Sequence, residues 1–541
     1  MAEAVLKRNR TFFYRQTWKI INAEEDVFLC CKGPRGRIVK AHARVFFGLA
    51  VFLIMCALLA QFRVQFATSD ADGVTLVGSQ GLGESSRCAK SANEGFTVED
   101  TSTAAMDGMT VNAWSAEAYN SSDFDQSIAN LASLNVNWVT FTVFWFMNTS
   151  SDTIMGPRPD LYTASDSSLE HAIQKAHGLN MQVALKPMVD VLDGAWRGSI
   201  SPSNWTLWFA NYASFIDYYA NLSRANGVEL FVVGCELRSS QSYVSNWRQV
   251  ISGVRALFSG NLTYAANWDS YSVYSKVPSY GWEPVTFWDA LDYVGVDAYF
   301  PLTNSYNPTV EQLVGNWSQS GASGWWGTGF NWTNELYATY ANTGKKIIFT
   351  EIGYTSQNGT NTQPWTYVPP PTGIDLQEQA DCYQACLEVF KDKTWFMGWF
   401  WWEWRTDPNA GGPNDTDYTP QNKPAQSILY QYYSPTTITF QAAGTSVPVT
   451  VNYTRVTGNY TAAGSLTVPI ASANSTIVPC GSNISFSYES IVAGTDGTQY
   501  LLVDTNPASP LTNVVNNITV LANYVNISDS GGGAGRMPYL N

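Results

Sequence analysis

Between residues 109 and 401, short apolar runs alternate eight times with stretches of helical periodicity. No other feature constrains the fold as tightly. The runs lie near 109–114, 138–146, 182–188, 229–234, 262–267, 293–298, 346–350 and 396–401, and most are continuously apolar. A strand apolar on both faces is buried on both sides, as in a parallel sheet covered by helices. Helical stretches fall near 124–134, 168–178, 205–225, 245–258, 285–291, 310–313, 335–342 and 376–391. Eight βα units predict an α/β fold, a (β/α)8 TIM barrel over residues 108–433.

The flanks read differently. Residues 434–528 carry short runs rich in Thr, Val, Ser and Asn with no helical stretch, which predicts an Ig-like β-sandwich. Residues 529–541 include three consecutive glycines and are expected to form a flexible tail. Residues 63–107 are rich in Gly, Ser, Ala and Asp and read as a stalk. Ahead of them, residues 1–44 hold ten Lys/Arg and four Asp/Glu, a net of +6. An uncharged apolar segment, 45–62, follows between Arg44 and Arg63. It sits at the short end of what spans a bilayer. A 44-residue basic segment is too long for a signal-peptide n-region, so 45–62 is expected to be a retained transmembrane signal anchor. The positive-inside rule then places 1–44 in the cytoplasm. The chain would be a single-pass type II membrane protein whose bulk is luminal or extracellular, at the cell surface or in the Golgi and secretory pathway.

Two further counts agree. Fifteen N-x-S/T sites follow residue 63, from Asn120 to Asn526, as in an extracellular glycoprotein. The chain beyond residue 44 holds 20 Lys/Arg against 40 Asp/Glu, a net of −20, with no basic stripe. That excludes nucleic acid as a natural partner. Five of the eight cysteines, Cys88, Cys235, Cys382, Cys386 and Cys480, follow the anchor, so at least one is unpaired in a monomer.

TIM barrels place their chemistry where strands end and βα loops begin. Two glutamates occupy that place: Glu236 closes the fourth apolar run and Glu351 the seventh. An acid there is costly unless paired or solvated. Two acids at these strands, in a chain with 21 Trp and 29 Tyr, fit hydrolysis of a glycosidic bond. One carboxyl donates a proton to the glycosidic oxygen while the other attacks the anomeric carbon. The three histidines, His42, His171 and His177, do not form a His-based metal site or a catalytic triad with any visible partner, and no phosphate-cradling glycine loop follows a strand. No cofactor or metal is expected.

Five motifs carry a resemblance: Leu185–Asp190 (LKPMVD), Gly234–Leu237 (GCEL), Thr263–Trp268 (TYAANW), Gly295–Leu302 (GVDAYFPL) and Thr350–Tyr354 (TEIGY). With the tryptophan-rich strand through Trp402 and Trp404, they appear in order and resemble glycoside hydrolase family 113, a clan A TIM-barrel family that includes endo-β-1,4-mannanases. The resemblance implies Glu236 as acid/base and Glu351 as nucleophile of a retaining enzyme acting on a polysaccharide or glycan. It also implies that Tyr299 hydrogen-bonds the nucleophile and that Trp402 is a sugar platform. Lys186, Asp190, Asn267 and Trp268 would line the cleft, with Trp114, Trp145 and Trp196 as further wall candidates. Cys235 stands where this family usually has Thr, and Met188 where its strand-three motif is expected to have His. A rival reading makes the chain a non-catalytic carbohydrate-binding or structural surface glycoprotein built on the same barrel.

Overall fold

The computed structural model describes residues 29–32, 38–41, 105–276, 281–318, 330–369 and 373–528. The expected anchor 45–62, the tail 529–541 and nearly all of the stalk 63–107 lie outside them, as does the basic segment apart from one pair of strands. In the unit formed by residues 1–81, Leu29–Lys32 pairs antiparallel with Ile38–Ala41. Among the described residues, no helix is long and apolar enough to cross a membrane.

In the second unit, eight parallel strands close on themselves: β1 (Met106–Val111), β2 (Trp138–Met147), β3 (Gln182–Val191), β4 (Leu230–Cys235), β5 (Asn261–Asn267), β6 (Val294–Asp297), β7 (Ile347–Ile352) and β8 (Phe396–Trp404). Each pairs with the next, and β8 pairs with β1 to seal the barrel. Around it run α1 (Ser122–Ala132), α2 (Asp166–Gly178), α3 (Trp205–Ala225), α4 (Val244–Leu257), α5 (Val310–Ser318), α6 (Trp332–Thr343), α7 (Leu376–Phe390) and α8 (Pro424–Tyr433). Local chemistry starts these helices. Ser121, Asn204, Asn331 and Asp375 each accept a hydrogen bond from a backbone N–H of the first turn, satisfying donors the helix leaves open.

The period of two along each strand sorts its side chains. On β3, Val183, Leu185 and Val189 face out and join the large cluster beneath the helices. Ala184 faces in, with Trp138, Leu230, Ile348 and Phe400, to plug the lower barrel. Phe144, Phe146, Met188, Val232, Cys235 and Ala265 pack above that plug.

Several expectations need correction. The strand expected at 109–114 runs three residues earlier, leaving Trp114 beyond its end. The helix expected at 285–291 shrinks to one 3-10 turn, Trp288–Ala290, because the stretch is too short to bury a continuous apolar stripe. Sequence reading missed α8, where Pro424 opens the helix and Ala425, Ile428, Leu429 and Tyr432 form its buried stripe.

After α8 come nine strands: β9 (Thr436–Ala443), β10 (Val449–Thr457), β11 (Tyr460–Val468), β12 (Ala473–Val478), β13 (Ser482–Tyr488), β14 (Ile491–Ala493), β15 (Gln499–Asn506), β16 (Leu511–Val514) and β17 (Ile518–Asn526). They form a five-stranded sheet, β12-β9-β17-β15-β14, and a four-stranded sheet, β11-β10-β13-β16. Burial alternates strictly along β13, the signature of a strand with one face on a core. That core joins Ile438, Phe440 and Val520 of one sheet to Val451, Ile484 and Phe486 of the other.

Candidate active site

A cleft of about 800 Å³ opens at the carboxyl ends of the barrel strands. Both Glu236 and Glu351 line it, with Trp114, Asp190, Trp196, Asn267, Trp268, Tyr299 and Trp402 of the sequence-expected set. The barrel topology therefore gathers residues from seven strands or the loops that follow them.

Glu351 lies on β7 and is almost wholly buried. The Lys186 ammonium donates to its Oε1 at 2.6 Å, and the Tyr299 hydroxyl donates to its Oε2 at 2.9 Å. Lys186 also reaches Asp297 Oδ1 at 3.1 Å, and Thr350 donates to that oxygen at 2.7 Å. Cys235, Asp297 and Glu351 bring potential metal-binding atoms within 4.8 Å of one another. The Lys186 ammonium already supplies that cluster with a cation, so its chemistry is that of a lysine-bridged carboxylate pair. Burial and then the charge of Glu351 push the Asp297 carboxyl up to about 7. Burial works to lower the Lys186 ammonium, but the surrounding negative groups outweigh it and hold the lysine charged.

Glu236 follows β4 in the left-handed region, with φ of 52°. A side chain there is uncommon and costs about 1–3 kcal/mol, a cost borne where surrounding structure dictates it. Its N–H donates to the Ala265 carbonyl at 2.8 Å, and its own carbonyl accepts from Arg238 N–H at 2.8 Å. The carboxyl accepts at Oε2 from the Trp196 indole N–H at 3.2 Å and from Arg197 at 3.3 Å. Burial, then the charge of Glu351, raise this carboxyl above its ordinary value, against the opposing pull of Arg197 and Lys186.

Aromatic rings form the walls. Trp268 stacks on Trp365 with centroids 5.6 Å apart, and Trp114 stacks on Phe144 at 6.0 Å. Trp114 and Trp196 are the most exposed of the tryptophans expected here, at 41% and 37%. Both arginines lining the cleft face carboxylates: Arg197 pairs with Asp190 and Glu236, and Arg238 pairs with Asp269 at 2.5 Å.

Two expected wall residues lie elsewhere. Lys186 is fully buried beneath the cleft and touches Glu351 from below. Trp145 alternates with inward Phe144 and Phe146, so it points outward to α3, where its ring packs 4.7 Å from Phe215 and its N–H donates to the Tyr219 hydroxyl at 3.1 Å. Sequence reading also missed Asp297, Arg197, Arg238 with Asp269, and Trp365. Asp297 carried the same signal as the two glutamates, an acid closing an apolar run. The others sit on irregular loops, where no periodicity marks them.

The pattern of glycoside hydrolase family 113 matches residues 110–423. The solved structure of a family 113 β-mannanase from Alicyclobacillus acidocaldarius, in complex with ManMIm, superposes with a TM-score of 0.52 at 27% identity. The match covers 61% of this chain and 97% of that one. A complex of a family 113 β-1,4-mannanase shares the fold, with a TM-score of 0.51 at 24% identity over 61% of this chain and 99% of that one. No curated protein matches the chain.

Proposed function

Because the chain belongs to glycoside hydrolase family 113 and is a β-mannanase-like glycoside hydrolase, we propose that it cleaves mannan-like β-linked glycans with retention, using Glu236 as acid/base and Glu351 as nucleophile. The observation that carries this reading is the unlike treatment of two carboxyls in one cleft. Glu236 is held toward its protonated form by burial, while both oxygens of Glu351 accept hydrogen bonds, one from the Lys186 ammonium and one from the Tyr299 hydroxyl. That is the division of labour a double displacement needs.

In the first step, a Glu351 oxygen bonds to the anomeric carbon as the glycosidic C–O bond breaks. The Glu236 proton passes to the departing oxygen. In the second, water gives a proton to Glu236 and its oxygen replaces Glu351 at the anomeric carbon. Two inversions give net retention. The aromatic walls favour the apolar faces of sugar rings. Because both cleft arginines are neutralised by carboxylates, a neutral glycan suits the cleft better than a charged one. The chain reaches its substrate as a type II membrane protein, anchored through 45–62 with the barrel luminal or extracellular. The basic segment before that run and the fifteen sequons after it support this topology.

The test is Glu351→Ala assayed on β-1,4-mannan, with product stereochemistry followed by NMR on the unaltered chain. Loss of turnover in a folded variant and initial release of the β-anomer are expected. Undiminished turnover, or initial release of the α-anomer, would overturn the reading.

A further inference from the structure

The turn after β3 sends two side chains to a single oxygen of Glu236. The Trp196 indole N–H lies 3.2 Å from Oε2, and Arg197 Nη1 lies 3.3 Å from the same atom. Among the described residues, no hydrogen bond reaches Oε1. Arg197 is held more tightly elsewhere. Its Nη2 donates to Asp190 Oδ1 at 2.5 Å, and its Nε donates to the Val189 carbonyl at 3.1 Å. The second oxygen of Asp190 accepts from the Tyr162 hydroxyl at 2.7 Å. Arg197 thus spans two carboxylates in a site where all three side chains are largely removed from solvent.

We propose that Arg197 is a positioning residue for the acid/base: with Trp196 it pins Glu236 by Oε2, leaving Oε1 to deliver the proton, and Asp190 acts as its counterweight. The inference rests on the reading of Glu236 as acid/base.

The charges that reach Glu236 come from several elements. From β7, Glu351 disfavours its ionisation. From β6, Asp297 acts in the same sense. Lys186 of β3, Arg197 and, after β4, Arg238 favour ionisation. Arg238 is paired with Asp269, and Lys186 with Glu351 and Asp297, whereas Arg197 is the one of these three cations that hydrogen-bonds Glu236 itself.

The signs follow. Removing the Arg197 charge leaves burial and Glu351 less opposed, so Glu236 keeps its proton to higher pH. The alkaline limb of kcat/KM then moves up. Removing the Asp190 charge releases Arg197 to Glu236, which then loses its proton at lower pH, and the limb moves down. An opposite charge at this range shifts a carboxyl by about one pH unit or more.

The experiment is the pH profile of kcat/KM on β-1,4-mannan for the full chain and its Arg197→Ala, Arg197→Lys and Asp190→Asn variants. Expected are an upward shift of about one unit for Arg197→Ala and a smaller upward shift for Arg197→Lys, since one ammonium cannot span both carboxylates. Asp190→Asn should shift the limb downward. Arg197→Lys carries the test should the alanine variant fail to fold. A purely structural arginine would lower activity without moving the limb. An unmoved limb, or Arg197 and Asp190 variants moving it the same way, would overturn the proposal. Glu236→Ala separates this failure from that of the underlying reading. If that variant keeps the alkaline limb and full turnover, Glu236 is not the acid/base at all.

Discussion

At the scale of single residues, the site turns on one cation between two acids. Lys186 is fully buried and bridges Glu351 and Asp297 at 2.6 and 3.1 Å. Removing it leaves two carboxylates face to face, where like charge and burial together force one to take up a proton. Lys186→Met should destabilise the fold by about 3–5 kcal/mol, the usual cost of stripping one partner from a buried ion pair. Denaturant unfolding measures it, and an unchanged midpoint would mean the lysine is not paired as an ammonium. The same variant should lose turnover, because Glu351 loses the ammonium that holds its Oε1 in place. Cys235 and Met188, which depart from the family pattern, are both buried. Cys235 lies 3.5 Å from Asp297 and so behaves as a weak thiol donor inside this cluster, while Met188 packs among Phe144, Phe146 and Val232.

At the scale of elements, β8 shows how a regular pattern can mislead. Period two places Phe400, Trp402 and Trp404 on one face. Phe400 does point into the barrel and Trp402 does line the cleft. Trp404 instead turns outward and donates to the Ser127 hydroxyl of α1 at 2.8 Å. The pairing of β8 with β1 slips between Trp401 and Trp404, and that slip reverses the alternation. On the outer face Trp401 stacks on Tyr383 of α7 with centroids 3.9 Å apart, coupling the helix to the strand that carries Trp402. The Tyr383 hydroxyl is buried and finds no hydrogen-bond partner among the described residues. Tyr383→Phe should therefore leave stability unchanged or raise it by about 1 kcal/mol, because it removes an unpaired polar group and keeps the ring. Tyr383→Ala should cost about 3–5 kcal/mol through the cavity it opens. Melting curves of the two variants separate stacking from hydrogen bonding, and equal losses would refute the distinction.

At the scale of the whole molecule, the strands after α8 are tied to the barrel by buried polar groups. Arg455 of β10 pairs with Glu388 of α7 at 2.8 Å, with both side chains under 10% exposed. Glu388 also accepts from the Tyr432 hydroxyl of α8, and Gln384 of α7 donates to the Thr457 carbonyl at 2.6 Å. Arg455→Leu should cost about 3–5 kcal/mol by leaving Glu388 buried and unpaired. The double change Arg455→Leu with Glu388→Leu should recover much of that loss. A double-mutant cycle on unfolding free energies checks this, and additive losses would show that the pair carries no coupling.

The barrel was legible in the chain because its signal is local and repeated. Eight apolar runs, most of them continuous and alternating with helical periodicity, admit few other architectures, and an acid closing such a run marks a strand end at the catalytic rim. Glu236 and Glu351 were found that way, and Asp297 could have been. Trp145 was within reach too, since simple alternation with Phe144 and Phe146 turns it outward. What folding alone decided is everything that depends on one strand facing another. Lys186 sits 165 residues from Glu351 in sequence, and only closure of the barrel brings its ammonium to that carboxylate. The left-handed backbone at Glu236, the slip that turns Trp404 out, and the reach of Arg197 from one carboxylate to another have no local sequence mark. Each is set by contacts between segments far apart in the chain, and it is those contacts that decide which of two neighbouring acids holds a proton.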